Sequence, residues 1–392
     1  MPPSRQLERN ILREMLDVSS QPDVRSFALG LPGSDLFPAE AIWASAERVL
    51  MRGAHETLQY RPPHARLRQQ VVELMQERGI ACTRDEVVLC SGAQQGLSLL
   101  SQLLVQRGGP VMTETLLYPG MQLVLHHAAV PVVTVPTDRS SGVAVEAAEA
   151  ILERGPRPAF IYIMCDGHNP LGISLSLQKR IRLVELAHRY DVPIVEDDAY
   201  GFLSYDQPVP PLRSLDSERV FYVGSFSKTV APALRVGWIV APKERAIELS
   251  NAREAATLDT AGLSQLLLSE YIEAGRYATH LSRLRSVYRE RRDAMLDTLA
   301  RTFPADAYWI APSSGMFVWV EWPDGPDTTL LLKHALSRVR VAFMPGSCFE
   351  MDCNGAGRSG MRLNFANHAV QQIDEGITQL GQVMHSFASD HA

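Results

Sequence analysis

A lysine closes the run Gly224-Ser225-Phe226-Ser227-Lys228, and Arg235 follows seven residues later. A lysine that burial or a neighbouring cation keeps partly unprotonated forms a Schiff base with an aldehyde. Two hydroxyls and a guanidinium beside it would hold a phosphate by charge-assisted hydrogen bonds. Alone, Lys228 reads as a solvated loop lysine. Three further segments turn the reading towards chemistry: Ser91-Gly92-Ala93-Gln94, Asn169-Pro170 and Glu196-Asp197-Asp198. Each closely follows a short apolar run. Small residues, a carboxylate and a lysine converging on one rim suit a phosphorylated cofactor with a cationic ring.

The elements that bring these groups together are legible between residues 85 and 240, where apolar runs alternate with helical patterns. Strands are expected at 87–90, 110–113, 131–135, 159–164, 192–195, 220–223 and 237–240. A helix follows Gly92 through Leu97, Leu99, Leu100 and Leu103, and another enters near Ser176 with Ile181, Val184 and Ala187 inward. Strands apolar on both faces and separated by helices mean a mostly parallel sheet covered on both sides. Such sheets bind ligands outside the carboxyl ends of their strands, which is where the four segments fall. Near residue 280 the pattern changes to a long charged helical stretch (276–299), a strand at 316–320, a helix at 328–337 and a strand at 361–365. The first 45 residues carry no sheet of their own and are expected to join this C-terminal lobe. The expectation is a large α/β domain over 46–282 and a smaller discontinuous α+β domain from 1–45 and 283–392.

Composition narrows the function. The chain has 392 residues, 46% of them hydrophobic and 21% charged, so a large core is available. Its 38 basic and 44 acidic residues leave a net charge of -6, which supplies no cationic face for nucleic acid. No run of about 18 apolar residues marks a membrane span, and the N-terminal stripe Leu7, Ile11, Leu12, Met15 and Leu16 reads as a packing helix. Five cysteines without zinc-like spacing fit a reduced, cytoplasmic protein. His126 and His127 are adjacent and point apart on any regular element, so no metal is expected.

With these motifs in place, the sequence resembles the fold type I pyridoxal-phosphate enzymes of the class I/II aminotransferase superfamily. The likeness runs from Phe27-Ala28-Leu29-Gly30-Leu31-Pro32 to Met361-Arg362-Leu363-Asn364-Phe365. Leu58-Gln59-Tyr60, Ser91 to Gly96 and Glu196-Asp197-Asp198-Ala199-Tyr200 are most similar to the 2-aminoadipate and kynurenine aminotransferase branch. The resemblance implies pyridoxal 5′-phosphate as cofactor, with Lys228 as the Schiff-base lysine and proton carrier. It makes Asp197 the partner of the pyridinium nitrogen, where an anion keeps the ring able to accept electrons. Tyr200 and Asn169 match the partners of the ring's phenolic oxygen, and Tyr118 the aromatic that stacks on the ring. Gly92, Ala93 and Gln94 match the phosphate turn at a helix start, completed by Ser225, Ser227 and Arg235. Arg362, with Asn169 and Gly30, falls to the substrate, its planar fork suited to an α-carboxylate. Tyr60 matches a residue that reaches the neighbouring subunit's phosphate, implying a homodimer with shared sites. Outside the family, each has an ordinary reading: a helix cap for Asp197, turns for Gly92, Asn169 and Gly30, a core tyrosine for Tyr118, a surface arginine for Arg362. The further signature Tyr288 to Asp293 is expected to be a solvated helix face without chemistry.

The implied activity is amino transfer between an L-amino acid and a 2-oxo acid. The substrate half departs from the pattern: Leu171 replaces a threonine after Asn169-Pro170, Cys165 a proline and Leu29 a glycine, and the segment Tyr60 to Arg68 is short. The form Asn-Pro-Leu-Gly resembles 1-aminocyclopropane-1-carboxylate synthases. It keeps open an alternative, elimination, replacement or ring closure on an amino acid such as S-adenosylmethionine. The branch also resembles the C-terminal domains of transcription regulators. About 25 residues precede Phe27, fewer than an independent DNA-binding domain needs. No nucleic acid and no membrane partner is expected.

Overall fold

The computed structural model describes residues 11–391. Its larger sheet has seven strands: Val87–Cys90, Val111–Glu114, Val132–Val135, Phe160–Ile163, Ile194–Asp197, Val220–Ser225 and Gly237–Val240. Across the sheet they lie in the order first, seventh, sixth, fifth, fourth, second, third. Every neighbouring pair is parallel except the two made by Gly237–Val240, which runs antiparallel to Val87–Cys90 and to Val220–Ser225. All strands but the edge strand Val132–Val135 are buried along their whole length, as strands covered on both faces must be. Side chains alternate between two apolar layers: Phe160 and Tyr162 belong to one, Ile161 and Ile163 to the other.

One strand boundary moves in a way that matters. The run expected at 192–195 begins only at Ile194, because Pro193 has no N–H to give the ladder and offers only its carbonyl, to Ile161. The strand then continues to Asp197, so Glu196 and Asp197 end it instead of following it. The helix Leu177–Tyr190 starts as expected, with Ser176 accepting the Lys179 N–H at 3.3 Å.

The second sheet is antiparallel, in the order Tyr308–Trp309, Phe317–Glu321, Gly360–Asn364, Met344–Pro345. Helices Arg276–Thr302, Thr328–Val339 and Val370–His391 pack beside it. The short strand Arg25–Ser26 pairs with Val341–Ala342, which stitches the N-terminal segment to this part of the chain. Of the N-terminal stripe, the helix Ile11–Ser19 forms and Met15 is buried, but Leu16 is 52% exposed and Leu7 lies outside the described residues. Among the described residues no helix is long and apolar enough to cross a membrane.

Candidate active site

Sheet register brings the predicted groups to one rim. Gly237 sits opposite both Cys90 and Ser225. Because its strand runs antiparallel, that glycine is where the strand enters, so Arg235 arrives at the same edge that the parallel strands leave. Ser91 to Gln94, Ser225 to Lys228 and Asp197 leave by it. A cavity of about 230 Å³ opens there. Twelve of the fourteen predicted site residues line it; Gly92 and Tyr60 do not.

Asp197 is buried at the end of its strand, and its Oδ2 accepts the Tyr162 hydroxyl at 2.8 Å. Its Oδ1 is buried and takes no side-chain hydrogen bond, while the backbone N–H of Ala199 helps to keep the carboxylate ionised. Burial pushes the carboxyl up to about 6, the Tyr162 bond opposing and neighbouring Asp198 assisting the rise. Across the cavity, Lys228 donates from Nζ to the Gly30 carbonyl at 2.6 Å. Burial, with the cations Arg362 and Arg235, lowers the ammonium to about 8 against the pull of Asp197. About a tenth of such an amine is unprotonated at pH 7, several hundred-fold more than for an ordinary lysine.

The turn expected to take a phosphate is built from backbone and short side chains. Gly92 has φ of 77° and opens the helix Ala93–Leu104 with no side-chain cap, leaving the first turn's N–H groups for an anion. A Cβ on Gly92 would lie 2.5 Å from Arg235 Nη2, so glycine is what lets the guanidinium close over the turn. Arg235 donates to the Ser91 carbonyl at 2.9 Å and to Ser227 Oγ at 3.3 Å, and Ser225 Oγ donates to Ser227 Oγ at 3.0 Å. Tyr118 donates to Gln94 Oε1 at 3.4 Å, and burial raises its phenol to about 12.

On the opposite wall Arg362 is 3% exposed on Gly360–Asn364. Nη1 donates to Asn169 Oδ1 at 2.6 Å and Nη2 to the Ala28 carbonyl at 2.5 Å, while Nε is buried without a partner. The guanidinium lies over Phe317 and Phe349, at 4.1 and 4.9 Å from the ring centroids. Burial lowers it to about 10, so it remains a cation at neutral pH. Gly30 and Tyr200 complete this wall, with Tyr200 edge-on to Phe317. A Cβ on Gly30 would press on Phe317 at 3.1 Å.

Tyr60 is elsewhere, 81% exposed and outside its own chain's cavity. Glu196 accepts the Leu212 and Arg213 N–H groups, and Asp198 is held by Arg78, Tyr222 and the Gly201 N–H, so both are bracing groups. His168 meets Glu114 at 3.0 Å in the core behind Asn169. Among the described residues no cluster of three or more His, Cys, Asp or Glu is set to hold a metal. A hollow of about 400 Å³ near Arg52 and Glu273 contains none of the predicted groups. Glutamates there pair with arginines: Glu270 with Arg48 and Arg52, Glu273 with Arg66.

Sequence reasoning missed four contributors. Tyr162 braces Asp197, and its signal was a hydroxyl inside an otherwise apolar strand. Asn364 was read only as part of a motif, yet its amide donates to the Leu29 and Leu31 carbonyls at 2.6 and 2.8 Å. The expectation of a solvated face at Tyr288 to Asp293 holds for Arg289, Glu290 and Asp293, which are exposed, and fails for Tyr288 and Arg291. Tyr288 is 0% and Arg291 4% exposed, because Leu281, Leu284, Tyr288, Arg291 and Met295 form one inward stripe at helical spacing.

Residues 30–380 match the family described as aminotransferase class I and II. The aromatic-amino-acid aminotransferase 1 of Thermococcus litoralis is 34% identical over 382 residues, 95% of this chain and 91% of that protein. The solved α-aminoadipate aminotransferase of Thermus thermophilus, complexed with N-(5′-phosphopyridoxyl)-L-leucine, matches with a TM-score of 0.88 and 34% identity over 96% of this chain and 95% of its own. The kynurenine aminotransferase of Pyrococcus horikoshii matches with a TM-score of 0.90 and 31% identity, over 96% and 94%.

Proposed function

The chain belongs to the aminotransferase class I and II family, and from that premise we propose which of its residues carry the transfer of an amino group between an L-amino acid and a 2-oxo acid. It is a transferase whose cofactor is pyridoxal 5′-phosphate. The observation that carries the assignment is the pairing, in one cavity, of a lysine lowered to about 8 with a buried carboxylate oxygen that no side chain of the protein occupies. When bound, the cofactor supplies an aldehyde for the amino group and a cationic ring that draws electrons from the substrate Cα.

Lys228 would hold the cofactor through its amine, and when free its Nζ would carry the proton taken from the substrate Cα. Asp197 Oδ1 is the acceptor for the ring N–H, and Tyr162 keeps that carboxylate oriented. Ala93 and Gln94 offer N–H groups, Ser225 and Ser227 hydroxyls and Arg235 its guanidinium to the phosphate, with the Gly92 turn giving them room. Tyr118, Tyr200 and Asn169 line the cavity; Tyr118 would stack on the ring, and Tyr200 with Asn169 would bond its phenolic oxygen. Arg362, positioned by Asn169, takes the α-carboxylate, and Gly30 borders the place where the substrate lies. Leu171 does not line the cavity but packs in the core, and the relatives named above are all aminotransferases, so nothing favours the elimination or ring-closure route.

The active unit we propose is a homodimer in which Tyr60 reaches the partner's phosphate. In support, Tyr60 is exposed, and Trp43, Leu50 and Met51, spaced i, i+7, i+8, leave apolar surface on the helix Ala39–Thr57. We take 46–282 as the cofactor domain and 1–45 with 283–392 as the smaller one. Five free cysteines, three of them buried, favour the cytoplasm. Borohydride should trap the cofactor on the wild-type chain and not on Lys228→Ala. A single turnover with an amino-acid panel should release one 2-oxo acid per cofactor for at least one member. Trapping at full yield on the variant, or side-chain fragments in place of the oxo acid, would overturn the assignment.

A further inference from the structure

The segment from Ala28 to Asp35 meets the active site with its backbone. Ala28 O receives Arg362 and Gly30 O receives Lys228, at 2.5 and 2.6 Å. The alternate carbonyls, Leu29 O and Leu31 O, receive the two amide hydrogens of Asn364. The four successive carbonyls from Ala28 to Leu31 are thus all taken up by side chains across a bend at Leu29, with Arg362 and Asn364 reaching them from one face of the same strand. At its far end the segment is fastened to the long helix. The Gly33 N–H donates to the Tyr288 hydroxyl at 3.0 Å, and Asp35 receives Arg291 Nη2 at 2.5 Å. Arg291 Nη1 donates in turn to the Ala366 carbonyl at 2.5 Å, just beyond the Arg362 strand. A Cβ at position 33 would stand 2.7 Å from both Arg291 Nη1 and Ala366 O. Gly33 is therefore what lets segment, helix and strand end close on one guanidinium.

We propose that Tyr288, Arg291 and Asn364 are positioning residues of the substrate site. They fix the register of the 28–35 segment, so that its carbonyls hold the Arg362 fork in plane and give the Lys228 amine a place when it is free. None of them lines the cavity. Arg362 is wedged between two rings and holds Asn169, so a carbonyl on Nη2 is what settles its remaining orientation. The phosphate cradle is on other segments and does not depend on them.

The inference rests on the proposed roles of Arg362 and Lys228, and its test separates the two. Tyr288→Phe removes one hydroxyl, and Asp35→Asn weakens the ion pair from its exposed side, so both variants should fold. KM for the amino acid should rise about fivefold in each and about tenfold in the pair, with kcat within about twofold. Borohydride-trapped cofactor should stay at the wild-type level. Amide exchange at Gly30, Leu31 and Gly33 in the full chain, with and without cofactor, should quicken in the same order. Arg291→Lys, which keeps one donor, should fall between wild type and Arg291→Gln. Unchanged exchange at Gly30, Leu31 and Gly33 overturns the proposal whatever the activity shows. Faster exchange with KM unmoved also overturns it, since the segment would then have no hold on Arg362. Loss of trapped cofactor in wild type would instead defeat the underlying assignment of Lys228.

Discussion

The two walls of the cavity are built by different means. On the wall we assign to the cofactor, Asp197, Ser225, Lys228, Arg235 and the Gly92 turn stand at or within a few residues of strand ends in a single sheet. Strand register alone sets their spacing. On the substrate wall, Arg362 is placed by partners 193 and 334 residues away in sequence, and Asn364 by carbonyls 335 and 333 away. Its geometry depends on how the second sheet, the long helix and the 28–35 segment pack. One wall is fixed by local chain direction and the other by tertiary closure. Substitutions on the first should therefore strike chemistry for every substrate alike, and substitutions on the second should strike affinity.

The largest effect expected is on the cofactor wall. Asp197→Asn leaves the shape intact but removes the anion facing the ring, and kcat should drop by about 10³-fold for all amino acids tested. A drop confined to one amino acid would erase the distinction between the walls. Next comes Arg362→Lys, which exchanges a planar fork for a point charge beneath two aromatic rings. Its kcat/KM should fall about 50-fold, chiefly through KM. If kcat carries most of that loss, the guanidinium acts in the chemical step and the comparison must be redrawn.

The same contrast decides what the sequence could reveal. Runs apolar on both faces gave away the large sheet, and the short motifs at their ends gave away Lys228, Asp197 and Gly92. Each of those is a relation between near neighbours in the chain. Arg362 was flagged only by a charge in an apolar strand and by family likeness, and its hold on Ala28 has no local trace. Tyr288 to Asp293 misled for a specific reason. Arg289, Glu290 and Asp293 are exposed and dominate the composition, while Arg291 falls in register with Leu284 and Tyr288 on the buried face. Counting charges suggested solvent; counting residues per turn would have put that guanidinium inside. The start at Ile194 was also readable in principle, since Pro193 cannot donate to a ladder.

Acidity tests the cofactor wall by itself. Lys228 must be unprotonated to attack an aldehyde, and with its ammonium at about 8 the capture rate should climb with pH and level off above that value. Asp197 must be ionised to meet a ring N–H, and with its carboxyl at about 6 the cofactor affinity should be steady above that pH and fall below it. Capture by the cofactor-free protein, followed by absorbance, should thus show a rate limb near 8 and an affinity limb near 6. Arg362→Lys should leave the affinity limb in place. A rate limb near the ordinary lysine value of about 10.4 would mean that the cavity does not lower Lys228.

The smallest effect concerns the hydroxyl that braces Asp197. Tyr162 donates to Oδ2, a bond made to the charged carboxylate, and it opposes the upward push of burial. Tyr162→Phe removes that donor, so the folded-state value of Asp197 must move up, from about 6 towards neutrality. The affinity limb should shift to higher pH by roughly one unit, the order expected for one hydrogen bond to a charged group. At about pH 9, where Asp197 stays ionised in both proteins, cofactor affinity should differ little, whereas at about pH 6 the variant should bind about fivefold more weakly. KM for the amino acid should not change, because the Tyr162 hydroxyl is spent on Asp197 and does not reach Arg362. A limb that stays put would mean that the Ala199 N–H and Lys228, and not Tyr162, keep the carboxylate ionised. One that moves to lower pH would mean the hydroxyl favours the protonated acid, against the sign argued here. Either result would dissolve the picture of a cofactor wall whose charge is set by its own sheet.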